Sequence, residues 1–131
     1  MEEVRRLWLQ ALEDLKTAEI LLKVGRYYAS VFFAQQAAEK ALKALYIHLK
    51  RELPPHTHNL LELLRSLGVD REDLVDAAAD LTPEYIVTRY PNAAGGVPAE
   101  LYNERSAREH LEKARLIVDY CGEVLGGGRS G

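Results

Sequence analysis

The sequence predicts an all-α protein: an up-down helical bundle of three long helices plus one or two short helices. Three observations carry this. Apolar residues recur at three- and four-residue steps through three long stretches, the spacing of a single helix face. No stretch alternates polar and apolar residues with the period of a strand. Gly25 and the pair Pro54-Pro55 fall where the periodic stretches stop. With 131 residues and 47% apolar content, the chain is read as one domain able to bury a core.

The first helix is expected over about Glu2–Val24. Its stripe is Val4, Leu7, Trp8, Ala11, Leu15, Ala18, Leu21 and Leu22, and Gly25 ends it. The second is expected over about Tyr27–Leu53, on Tyr28, Val31, Phe32, Gln35, Ala38, Leu42, Leu45 and Leu49. Pro54 stops it, because proline lacks the N–H and disfavours helix in the residue before it. The short connection makes these two an antiparallel hairpin. Asn59 and Glu62 have the spacing of a cap for a short third helix closed by Gly68. A short acidic helix follows over about Asp70–Leu81. Thr82-Pro83 reads as a cap plus first-turn proline, so a brief turn or helix is expected to begin at EYIVTRY, and PNAAGGVP, from Pro91 to Pro98, reads as an irregular loop. The last helix should start near Asn103 or Ser106, on the stripe Ala107, Leu111, Ala114, Val118, Cys121 and Leu125. The domain thus spans 1–125, and GGGRSG, 126–131, is a tail expected to fray. Trp8, Phe32, Leu42 and Leu111 are expected in the core, with alanines such as Ala11, Ala34, Ala38 and Ala114 allowing close helix approach.

The net charge of −3 does not suit a general polyanion binder. Charge is uneven, however: residues 1–58 balance at +2 and residues 59–131 at −5. An anionic ligand therefore fits the first half better. Cys121 is the only cysteine, so no internal disulfide can form. Its place on an apolar stripe reads as a small buried hydrophobe. No apolar run approaches the ~18 residues of a membrane span, and the N-terminus lacks the apolar core of a signal peptide. A cytoplasmic protein is expected.

Polar residues interrupt the second helix in FFAQQAAEKALKAL, from Phe32 to Leu45. Gln35 lies on the apolar stripe and should be buried, which obliges it to find a hydrogen-bond partner. Asp14 of the first helix is the expected one. Gln36, Lys40 and Lys43 share a second face, where Glu39 can pair with Lys43 at i,i+4. That face reads as a solvated strip of ion pairs or as a cationic strip for a phosphate or an acidic partner.

QQAAEKALKAL resembles the second-helix signature of the HEPN domain family. WLQALEDLKTAEILL resembles the family's first helix and HTHNLLELL its third-helix start. LTPEYIVTRYPN, followed by ERSAREHLEKARLIV, is similar to its closing segment. The four pieces stand in family order over about residues 5–120. The resemblance implies a helical bundle that commonly forms a homodimer. It also implies either a partner of a minimal nucleotidyltransferase in a toxin–antitoxin-like pair or a metal-independent ribonuclease toxin.

Ribonuclease members carry Arg-x(4–6)-His close to the start of the final helix. Arginine can hold the scissile phosphate and histidine can move a proton, with no metal. The chain contains Arg51-x4-His56, Arg51-x6-His58 and Arg105-x4-His110. Chance alone supplies about one such match, so position decides, and Arg105 with His110 is the better placed pair. The segment most like the motif's surroundings, Arg89-Tyr90-Pro91-Asn92, has no histidine at the needed spacing. Arg89 beside Tyr90 can hold a phosphate and stack on a base, or else pair with Asp80 or Glu84. His56 and His58 have no cysteine or third histidine near them, so no metal site is expected. The reading is a non-catalytic nucleotide-binding module with Lys40, Lys43, His58, Arg89 and Tyr90 at the site. It needs no cofactor and offers a nucleotide, an RNA or a nucleotidyltransferase as partner; Arg105 and His110 belong to the ribonuclease alternative. If the last helix packs antiparallel to the second, these residues gather at the Pro54 end of the bundle.

Overall fold

The computed structural model describes residues 2–126, so the expected tail lies, but for Gly126, outside the described residues. Helices α1 (Glu2–Lys23) and α2 (Tyr27–Lys50) form the expected antiparallel hairpin. Gly25 makes the turn with φ 82°, in the left-handed region that glycine enters without strain. The Ser30 hydroxyl donates to the Ala18 carbonyl at 2.7 Å and ties the helices beside that turn. The two expected short helices follow as α3 (Leu60–Ser66) and α4 (Glu72–Leu81). The brief turn or helix expected after Thr82-Pro83 is α5 (Glu84–Val87), while the segment read as an irregular loop winds into two single turns, α6 (Pro91–Ala94) and α7 (Pro98–Leu101), before α8 (Glu104–Leu125). Pro91 and Pro98 sit in first turns, where a missing N–H costs nothing. No strand occurs among the described residues.

Two boundary signals act differently from the expectation. Asn59 caps α3 as read, accepting from the Glu62 N–H at 3.1 Å. Thr82 does not cap the turn that follows it. Its hydroxyl accepts the Leu60 N–H at 3.0 Å, and so serves the start of α3, 22 residues earlier in the chain. The capping box of α8 pairs Asn103 with Ser106 rather than Ser106 with Glu109.

The larger corrections concern direction. Helix α2 stops at Lys50, three residues before Leu53, because Arg51 takes φ 59° and closes the helix with a left-handed cap. The chain then runs back along α2. The Gln35 amide donates to the His58 carbonyl at 3.2 Å, about 22 Å before the helix end at 1.5 Å per residue. Helix α8 is antiparallel to α1: Arg115 pairs with Glu19 at 2.6 Å, and Gly122 lies against Trp8. It is therefore parallel to α2, reached by a crossover through α3–α7, and its start lies beside the start of α2. The histidine turn and the start of α8 are not gathered at the Pro54 end.

The core forms along α2. Ala11, Ala18, Ala34, Ala38, Ala107 and Ala114 are fully buried, so the three long helices approach closely at alanine. Leu42 and Leu111 are buried as expected. Trp8 and Phe32 are only half-buried. Trp8 stands at the mouth of a groove of about 610 Å³ between the first half of α1 and the end of α8, and Phe32 lies beneath Arg89. Cys121 is fully buried, and burial pushes its thiol up to about 12, which leaves it unreactive near neutral pH. No helix among the described residues is long and apolar enough to cross a membrane.

Candidate functional site

The polar residues of α2 are neither a solvated strip nor free cations. They form one connected network between α1, α2 and the segment before α3. Gln35 is buried as predicted, but its partner is not Asp14: its amide donates to Glu39 and to the His58 carbonyl, both at 3.2 Å, and its oxygen accepts from Gln36 at 2.8 Å. Asp14 instead takes Lys40 at 2.6 Å and Gln10 at 3.0 Å. Lys40 also donates to Gln36 at 3.2 Å. Glu39, only 5% exposed, accepts from Lys43 at 3.0 Å. It also lies 3.0 and 3.1 Å from Nδ1 of His58. An ionised carboxylate only accepts, so Nδ1 carries the proton. Among the described residues no buried side-chain nitrogen or oxygen lacks a partner, which lets so polar a cluster sit inside a small bundle.

His58 leads from this network to an aromatic wall. Its ring stacks on Tyr85 of α5, centroids 3.5 Å apart and planes 12° off parallel. A ring at that distance fills one face of the tyrosine. The Arg89 guanidinium carbon lies 4.2 Å from the same centroid, so it must take the other face. Tyr85 is thus held between an imidazole and a guanidinium. Arg89 also lies over Phe32 at 5.4 Å and Tyr90 at 5.0 Å. Its Nε donates to the Tyr85 carbonyl at 2.8 Å, and it makes no ion pair among the described residues. The expected acidic partners are engaged elsewhere. Asp80 pairs with Lys113 at 2.8 Å. Glu84 accepts from the Tyr102 hydroxyl and faces Nε2 of His110 at 3.7 Å. Burial, then the Glu84 carboxylate, push the Tyr102 hydroxyl above its ordinary range.

The structure therefore brings together His58, Arg89 and Tyr90, with Lys43 joined through Glu39. It leaves Lys40 apart, held by Asp14. Arg105 and His110 do not converge within the chain. Five helical positions place them about 140° apart around α8. Arg105 is exposed, whereas His110 is turned inward, its Nδ1 donating to the Ser106 carbonyl at 2.7 Å. His56 is exposed, and no group of three His, Cys, Asp or Glu side chains suited to a metal occurs among the described residues. Sequence reasoning missed Tyr85. Its i,i+4 spacing to Arg89 was the available signal, since that spacing puts a cation over a ring on one helical turn.

A small all-α bundle with this order of elements and a polar second helix defines a class of domain. The HEPN domain family matches residues 4–124, and the chain belongs to it. Three relatives resemble it closely enough to compare. It is 28% identical to the protein named "Putative toxin MJ1304" of Methanocaldococcus jannaschii, over 88% of this chain and 84% of that one. The crystal structure of TT1696 from Thermus thermophilus superposes with a TM-score of 0.85 at 42% identity, covering 94% of this chain and 98% of that one. ST0689, an archaeal HEPN homologue, superposes with a TM-score of 0.79 at 32% identity, covering 93% and 97%.

Proposed function

We propose that this protein is a non-catalytic HEPN module that holds a nucleotide by its phosphates on Arg89. In this reading it acts within a toxin–antitoxin-like pair whose other member is a nucleotidyltransferase. The observation that carries the reading is the state of Arg89. An arginine has five N–H donors in a planar fork. Among the described residues only Nε is used, aromatic rings lie against the guanidinium, and no carboxylate pairs with it. That is the arrangement a bidentate phosphate contact needs. Tyr90, 51% exposed beside it, offers a ring on which a base can stack. The likeness to a protein named as a toxin supports the paired setting.

Calorimetric titration with ATP and GTP tests this. Wild-type protein should bind, and Arg89→Ala should weaken binding at least about tenfold, the loss of a charge-assisted contact. Absence of binding by the wild type at any nucleotide would remove the reading. Cleavage of single-stranded RNA in EDTA, abolished by His110→Ala, would establish the ribonuclease alternative instead.

Self-association belongs to the same proposal. Leu9, Ile20 and Val24 are 44%, 54% and 65% exposed on the side of α1 that faces away from α2 and α8. A second copy would cover such residues on a symmetric face. Light scattering should report a dimer at tens of micromolar; a monomer at that concentration counts against it.

A further inference from the structure

Arg89 is not the only group on the Tyr85 wall able to meet an anion. Because Nδ1 of His58 is held at 3.0 Å by Glu39, the opposite edge of the ring, which carries Nε2, points away from the buried carboxylate. The His58 side chain is 49% exposed while the side chain of Glu39 is only 7% exposed. So the dyad has a buried back and an open front. His58 and Arg89 lie on the two faces of one tyrosine, no more than about 8 Å apart. The Tyr85 ring fills the space between them, so an anion that meets both must pass its rim, and a chain of phosphates, with acceptor oxygens on successive phosphorus atoms, suits that path better than a single phosphate.

The charges around the wall favour this. Glu39 is matched by Lys43 at 3.0 Å, and Asp14 by Lys40 at 2.6 Å. Glu84 precedes Tyr85 but is turned to Tyr102 and His110, and Glu62 of α3 is engaged by Thr57 at 2.9 Å. Glu84 and Glu62 keep their charges but are turned to other partners, so among the described residues Arg89 has no carboxylate in ion-pair reach, and a protonated His58 sets a second positive group on the wall.

We propose that His58 is the second anchor of the ligand held by Arg89, and that binding is linked to one proton on that imidazole. The inference rests on the nucleotide-binding reading above and adds its regulation. Glu39 fixes the tautomer. In the neutral ring Nε2 is a bare acceptor and repels a phosphate oxygen. In the imidazolium Nε2–H donates to it, while Nδ1–H keeps its bond to Glu39. Glu39 acts as a positioning residue, and binding tightens as His58 takes up its second proton.

The test compares ATP affinity at pH 6 and pH 8 for the wild type and His58→Gln. The titration of ATP itself is common to both proteins and cancels in their ratio. The advantage of wild type over His58→Gln should grow about tenfold from pH 8 to pH 6, the worth of one charged hydrogen bond. A ratio that does not change with pH overturns the proton linkage while leaving nucleotide binding on Arg89 intact. Absence of binding by the wild type at both pH values removes both. A second measurement needs no variant: in the wild-type protein, saturating ATP should raise the NMR titration midpoint of His58. An unmoved midpoint overturns the proposal even if His58→Gln fails to fold.

Discussion

Replacing Glu39 by alanine should lower stability by about 3 kcal/mol, the range for breaking a buried ion pair from one side. In a chain of this size that is a fall in Tm of roughly 10 °C. The cost does not come from the attraction alone. Removing the carboxylate strands Lys43, whose side chain is 18% exposed, and Nδ1 of His58, and takes one of two acceptors from the Gln35 amide. Each of these groups gave up water on folding in exchange for Glu39. Lys43 can swing part of the way to water, which keeps the figure at the lower end. Replacing Glu39 and Lys43 together by leucine should recover part of the loss, since a buried pair exchanged for apolar groups of similar size is often neutral. Thermal unfolding checks both variants. A single-variant loss under about 0.5 kcal/mol would mean that the pair behaves like a solvent-exposed one, and the closed network described above would be wrong.

Leu42→Ala should cost a similar amount by a different route, about 3 kcal/mol through lost transfer energy plus the cavity left behind. Leu42 is fully buried on α2, the helix that packs against both α1 and α8. The alanines beside it on α2, Ala38 and Ala41, have no longer side chains that could turn into the space. Collapse of the site is therefore limited, and the cavity should persist. Leu53→Ala is the matching control: Leu53 is 75% exposed beyond the end of α2, and its loss should shift stability by less than about 0.5 kcal/mol. Denaturant unfolding of the two variants should separate them clearly. Equal costs at Leu42 and Leu53 would contradict the core described for α2.

Much of the architecture was legible from residues alone. The three long helices, the two short ones after them, the Gly25 turn, the Asn59 cap and the alanine seam follow from periodicity and local chemistry, which act over three or four residues. The family resemblance was legible as well, because its pieces are local and ordered. Part of the site was readable too: His58, Arg89 and Tyr90 do meet on one wall. Lys40 stands apart from that wall, held by Asp14, which lies 26 residues away in the chain and on another helix.

Sequence by itself determined the three long helices and the two short ones after α2, the apolar faces that carry the core, and that Gln35 had to be buried and satisfied. Only the tertiary structure decided who satisfies it, which way α8 runs, and what lies against Arg89. Helix periodicity is blind to the sense of packing, since an apolar stripe fits a neighbour running either way. One left-handed residue, Arg51, turns the chain back along α2 and carries His58 to Glu39. The crossover through α3–α7 then makes α8 parallel to α2 and brings Tyr85 between His58 and Arg89. Partners chosen by such long connections depend on the path of the whole chain, and no local pattern encodes them.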